Sequence, residues 1–188
     1  MKLSSIFARM ILNSKGKWTV EVCTKLEDGS TGIASVPEGI STGATEAKYV
    51  SVDKSVKIVK EELSVSLKNI DVSDLDLLDN KIIEIDGTPD KSKLGANTML
   101  ATSIACARAF SNSQNINLYE YINRFIPINL QKTIPKLFVL VFEGGAHGDT
   151  RMQIQEFLAV VPTLDRGLSV YKHVVEDVAR RGHSTNVG

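Results

Sequence analysis

The period at which apolar positions recur changes twice along this chain, and each change marks a change of architecture. In the first third, Ile6 to Leu12 and Trp18 to Leu26 are rich in β-formers, and Thr19 to Cys23 alternate as a half-buried strand does. Glu27-Asp28-Gly29-Ser30 is a turn, with Asp-Gly the preferred pair for a tight hairpin, and Thr31 to Val36 returns as a third strand. These three segments predict an antiparallel meander. Pro37 ends the last strand, and PEGISTG, Pro37 to Gly43, reads as a surface loop whose Ser41 or Thr42 is suited to cap a following helix.

Helical spacing then takes over. Val52, Val56, Ile58, Val59, Leu63 and Leu67 define one amphipathic helix, and Leu75 to Ile85 a second that Asp86-Gly87-Thr88-Pro89 stops. Leu94 to Phe110 is apolar nearly all round, which predicts a helix buried on most sides and therefore the core helix. Leu118 to Phe125 is a short further helix. After Pro127 the pattern becomes one of unbroken apolar runs. Lys136 to Phe142 and Gln155 to Val161 have the form of strands buried on both faces, and Gly167 to Arg181 returns to helical spacing through Leu168, Tyr171, Val174, Val175 and Val178. The expected organisation is an α+β domain over residues 1–128 and a second domain beginning over 135–188. Two such strands and a helix need more partners than a few dozen residues supply, so the expectation is a fragment or truncated form.

Composition narrows the class without naming a function. With 22 Lys and Arg against 22 Asp and Glu, no global field draws the chain to nucleic acid or to an acidic lipid surface. Cys23 and Cys106 lie far apart and outside any Cys-x-x-Cys spacing, as buried thiols of a cytosolic protein do. No apolar run is long enough to span a bilayer, and Arg9 interrupts the short N-terminal apolar stretch that a signal peptide would need. The expectation is a cytoplasmic protein with neither nucleic acid nor membrane as partner.

Candidate chemistry concentrates in FEGGAHGDTRMQIQEF, residues 142–157, where His147 and two glutamates stand close to a Gly-Gly pair. By themselves these positions are ordinary: His147 is a loop histidine and Glu156 a residue at the start of a strand. Several local patterns taken in order change that. ARMILNSKG, Ala8 to Gly16, is similar to the A-R-x-I-x-D-S-R-G that opens enolases, the phosphopyruvate hydratases of glycolysis. Thr19-Val20-Glu21-Val22 matches T-V-E-V, VPEGISTGATEA resembles V-P-S-G-A-S-T-G-x-x-E-A, and DGTPDKSKLGAN resembles D-G-T-x-N-K-S-x-L-G-A-N. EGGAHGD with the later QEF is similar to N-G-G-x-H-A-x-N and Q-E-F, and the terminal Thr185 to Gly188 to T-N-V-G. Six patterns in order over nearly the whole chain identify it as resembling that family.

The resemblance implies a three-stranded meander followed by helices, then an α/β barrel that opens with two antiparallel strands. A complete barrel takes about 250 residues. It implies dehydration of 2-phosphoglycerate to phosphoenolpyruvate, with a lysine base, Mg²⁺ stabilising the ene-diolate and a second group protonating the departing hydroxide. By position, Ser41 is the loop serine that reaches a Mg²⁺ and His147 is the histidine that closes near the substrate. Glu156 is a catalytic carboxylate on the leaving-hydroxide side, with Gln155 beside it lining the substrate pocket. The principal metal carboxylates, the lysine base and the phosphate-binding groups of the family have no counterpart here. The 188-residue chain alone is therefore expected to be inactive. The resemblance also implies a homodimer, with Arg9 and Glu21 at positions near its interface.

The departures gather at the site. Lys15 stands for an arginine, Lys17-Trp18 for an Asn-Pro turn, Glu38 for a small serine and Glu143 for the asparagine of N-G-G. They motivate an alternative, an enolase-like module kept for binding or structure rather than catalysis.

Overall fold

The computed structural model describes residues 1–37, 43–126, 133–144, 153–183 and 185. Its contacts divide the chain into two units, residues 1–130 and 131–188.

In the first unit the alternating segments form an antiparallel sheet in the order β1 (Leu3–Leu12), β2 (Trp18–Leu26), β3 (Thr31–Ser35). The Asp28-Gly29 turn closes the second hairpin, with Gly29 at φ 90°, a conformation that glycine adopts without strain. In the first hairpin the Asn13 carboxamide accepts from the backbone N–H groups of Lys15 and Lys17 at 2.9 and 3.0 Å. The alternation read for β2 is blurred. Val20 and Val22 face the core, but Thr19 and Cys23 on the other face are buried as well. As the central strand, β2 has both faces shaded by side chains of β1 and β3, and Cys23 lies level with Phe7 and Ile33.

The first predicted helix is continuous in the chain but not uniform. α1 (Val52–Ile58) runs through a π-helical turn (Val59–Leu63) into α2 (Ser64–Ser66). The wider turn still places Val59, Leu63 and Leu67 inward, all fully buried. α3 (Leu75–Asp86) starts on Asp74, whose side chain accepts from Leu77 N–H, and ends at Gly87 in the left-handed region.

α4 (Ala96–Ser113) is the core helix. Ala101, Ala105 and Ala109 share one face by their i, i+4 spacing, and all three are fully buried. A Cβ built on Gly32 of β3 would lie 2.1 Å from the Ala105 carbonyl oxygen and 2.4 Å from the Ala109 nitrogen. Strand and helix backbones therefore meet there with no room for a side chain. The Thr24 hydroxyl donates to the Ala105 carbonyl at 2.9 Å, tying β2 to the same turn of helix. Outside the sheet, Arg108 and Asn112 donate to the carbonyls of Ile33 and Thr31 at 2.6 and 2.8 Å, satisfying acceptors on the open edge of β3. α5 (Leu118–Ile122) follows and ends in a 3₁₀ turn, Asn123–Phe125. Buried Tyr121 packs between Phe110 and Phe125, its hydroxyl donating to Val72 O at 2.7 Å.

The second unit holds β4 (Leu137–Glu143) and β5 (Glu156–Val161), paired antiparallel, followed by α6 (Leu164–Arg180). Thr163 caps α6 by accepting from Arg166 N–H. Gly167 gives the close approach of the helix to the sheet, since a Cβ there would lie 2.9 Å from Val139 Cγ2 and 3.3 Å from Val161 Cγ2. This antiparallel pair followed by a helix fits the opening of the expected barrel. The expectation of strands buried on both faces is corrected, however. Leu137, Val139 and Val141 are half-buried, while Phe138 is 64% and Val160 53% exposed. An unbroken apolar run records a need for cover on two faces, and among the described residues of this unit α6 covers only one.

Candidate functional site

Two regions carry the expected site residues, one in each unit. In the first unit Ser41 lies outside the described residues, as does Glu38, but the chain on either side is held closely. Before the loop, the buried Thr19 hydroxyl donates to Val36 O at 2.5 Å, and Val36 N–H donates to Val20 O at 3.4 Å. The third strand is thus laid against β2 up to the residue before Pro37.

Beyond the loop, the Glu46 carboxylate accepts from Gly43 N–H at 2.9 Å, while Glu46 N–H donates to Gly43 O at 3.2 Å. Lys48 is strapped at both sides: its N–H donates to Asp90 O, and its carbonyl accepts from Ala96 N–H, each at 2.8 Å. The Asn97 carboxamide reads the backbone of Val50 twice, accepting from its N–H at 3.2 Å and donating to its carbonyl at 3.0 Å. Gly95, at φ 86°, is packed so closely that a Cβ would lie 2.5 Å from Val50 Cγ2 and 2.7 Å from Asn97 Oδ1.

The segment that holds residues 43–50 is itself organised by Asp86. Its buried carboxylate accepts from Thr88 N–H at 2.9 Å, from the Thr88 hydroxyl and from Leu94 N–H at 2.8 Å. Burial pushes the Asp86 carboxyl pKa up, but these bonds outweigh it and hold the group below its ordinary value. DGTPDKSKLGAN is therefore a structural bracket: Asp86 closes it, and Gly95 and Asn97 present it to the chain after Ser41. Sequence reasoning identified this stretch only as a helix stop and a family pattern. It missed Thr19, Glu46 and Asn97 as supports, because each acts on backbone groups distant in sequence or on a loop.

In the second unit the structure brings Glu143 and Glu156 together as directly paired residues across β4 and β5, with Gly144 N–H donating to Gln155 O at 2.8 Å. Directly opposed side chains on an antiparallel pair are close neighbours on one face, and like charges there repel. A bulge between Leu140 and Phe142 shifts the register just before them, and Phe142 meets Phe157 edge to face at 6.4 Å. Gln155 and Glu156 are exposed. His147 lies outside the described residues, so it is not placed relative to them.

Among the described residues no group of three or more His, Cys, Asp or Glu side chains gathers as a metal site. The Glu143–Glu156 pair alone falls short of the oxygen shell that Mg²⁺ takes. A shallow hollow of ≈ 380 Å³ runs along α6, lined by Asp165, Leu168, Ser169, Lys172, His173 and Glu176. All six belong to one helix, and none is an expected site residue. No helix among the described residues is long and apolar enough to cross a membrane.

Compared with known protein families, residues 3–122 match the family described as the enolase N-terminal domain. The matched span contains the whole meander, the bracket around Asp86, the core helix and both flanks of the Ser41 loop.

Proposed function

The chain belongs to the enolase family, a family of lyases, and on that premise we propose that it derives from a phosphopyruvate hydratase acting on 2-phosphoglycerate. The observation that carries this reading is the family match over 3–122 together with Glu156 as the first residue of β5 and Gln155 just before it, a pocket residue and an acid side by side in the Q-E-F pattern. In this reading Glu156 handles the proton of the departing hydroxide, Gln155 orients the substrate, and His147 closes near it. Ser41 reaches Mg²⁺, the cofactor that stabilises the ene-diolate charge when bound. The described residues do not by themselves make a Mg²⁺ shell. On the same proposal residues 1–128 are the N-terminal domain, 135–188 are the start of the barrel, and the protein works in the glycolytic cytoplasm.

A homodimer belongs to the same reading. Arg9 and Glu21 pair across β1 and β2 at 2.6 Å on the sheet face turned away from α4, and the guanidinium pKa is raised by the Glu21 hydrogen bond and charge. Phe7 and Ile33, 56% and 45% exposed, flank that pair and add apolar contact area.

The alternative, an enolase-like module without catalysis, draws support from Glu143. A second carboxylate opposed to Glu156 adds negative charge where an anionic substrate would sit. One experiment separates the readings. The purified 188-residue chain should form no phosphoenolpyruvate from 2-phosphoglycerate and Mg²⁺. Mixed with a polypeptide carrying the remaining strands and helices of an enolase barrel, it should form product, and Glu156→Gln should abolish that activity. Product from the chain alone would overturn the first expectation; no product from the mixture, or full activity in Glu156→Gln, would favour the module.

A further inference from the structure

We propose that the tip of the first hairpin, Leu12 to Trp18, is an attachment point for an anionic lipid surface. Lys15, Lys17 and Trp18 depart from the enolase pattern, and the proposed catalysis uses none of them. The apolar part of the tip is continuous with the core. On the inner face of the hairpin the opposed pairs run Ala8 with Val22, Met10 with Val20 and Leu12 with Trp18. Val22 and Val20 are fully buried, Met10 is 37% exposed, and Leu12 and Trp18 are 59% and 56% exposed. The two strands therefore run out past their cover and present an apolar pair at the free end. Side chains alternate along each strand, so this face is opposite the one that carries the Arg9–Glu21 pair.

The turn supplies charge and order. The Asn13 side chain accepts from Lys15 and Lys17 N–H, its backbone N–H donates to Lys17 O at 2.8 Å, and its carbonyl accepts from Gly16 N–H at 3.1 Å. Lys15 and Lys17 are both exposed, and neither pairs with a carboxylate among the described residues. No Asp or Glu occurs between Arg9 and Glu21, so the tip is locally cationic although the chain is neutral overall. Two ammonium groups beside an indole and a leucine have the chemistry of a membrane interface. The indole sits at headgroup level, the leucine reaches the acyl boundary, and each lysine is drawn to anionic headgroups. Size argues against a protein partner. A stable protein interface takes roughly 20–30 residues a side, and this tip offers a few side chains at the end of one hairpin.

Trp18 is the chain's one tryptophan, so its fluorescence reports the tip directly. The 188-residue chain is titrated with vesicles of phosphatidylcholine containing phosphatidylserine, and with vesicles of phosphatidylcholine alone. On the first, emission should move to shorter wavelength and be quenched by lipids brominated in the acyl chain; on the second it should not change. Lys15→Gln with Lys17→Gln should weaken binding about 30-fold, and Leu12→Ser about tenfold. Both variants should keep the parent's circular dichroism, since the altered side chains are exposed. Unchanged emission on the anionic vesicles, an equal change on the neutral ones, or parental affinity in either variant would overturn the proposal. An equal shift on adding polyglutamate would assign the tip to an acidic protein segment and overturn it too. Adsorption through the exposed face of β4 and β5 leaves Trp18 in water and its emission unchanged. The hydratase assay bears on none of these outcomes.

Discussion

Asp86 organises the chain between α3 and α4 through one buried carboxylate. It terminates α3, turns the chain through Gly87 and Thr88, and receives the Leu94 amide one residue before Gly95. Replacing it with alanine removes an ionised acceptor from buried donors, at a cost of about 2–3 kcal/mol. Urea denaturation should show the midpoint falling with an unchanged slope. Because its folded pKa lies below the ordinary carboxylate value, its contribution is complete above that value and is lost as pH falls through the folded one. Asp71, bonded by the Met1 ammonium and by Ser73 and held at about 2, follows the same sign and extends the acid-labile window down to that pH.

Asp79 runs the other way. Burial raises its pKa, against a lowering bond from Ser103, and its Oδ1 has no hydrogen-bond partner among the described residues. Ionisation of Asp79 therefore costs stability as pH rises through the unfolded value towards the folded one. Asp79→Asn should raise the thermal midpoint by a few degrees at pH 7 and give no gain near pH 3. Neither effect was legible in the residues themselves. DGT reads as a stop signal, and an aspartate within a helical pattern reads as its polar face. What decides each sign is the set of donors that the fold brings to it.

At the scale of elements, the strands and helices were set by local period, and their closest contacts were not. The meander and the core helix follow from alternation and from an apolar run too long for a strand. Gly32, by contrast, carries no signal in the period of its strand. It is the residue against which α4 is seated, and the seat is made of backbone atoms of Ala105 and Ala109 that cannot turn aside. Gly32→Ala should therefore destabilise by about 3 kcal/mol or more, the upper range of overpacking, because the whole helix must shift. The same substitution at Gly43, where a Cβ would meet nothing within 4 Å, provides the control and should change the midpoint little. Equal effects at the two positions would remove the backbone seat as the explanation. The hydrogen-bonded turn from Gly43 to Glu46 was likewise hidden, since a glutamate three residues after a glycine has no distinctive pattern. The place of Glu156 as the first residue of β5 was legible from the apolar run that begins beside it. Its pairing with Glu143 was not, because register depends on the bulge after Leu140.

For the molecule as a whole, two apolar surfaces lead to different kinds of association. On the first unit, the sheet face carries exposed Phe7 and Ile33 beside the Arg9–Glu21 ion pair, the face that the proposed homodimer would use. On the second, Phe138, Leu140, Leu158 and Val160 share an exposed strand face with no charge among them. Such a face joins further copies without a geometry that closes. Static light scattering of the 188-residue chain should therefore give a mass that rises with concentration well above the 20.5 kDa monomer. Replacing Phe138 and Val160 together with serine and threonine should remove the open-ended growth and leave a species no larger than a dimer. Arg9→Glu in that background should leave the monomer, because it puts like charges against Glu21 on the remaining face. If the double substitution leaves the growth unchanged, the strand face is not its source. If the parent is a monomer at all concentrations, the exposed residues of β4 and β5 are covered in solution by other parts of the same chain.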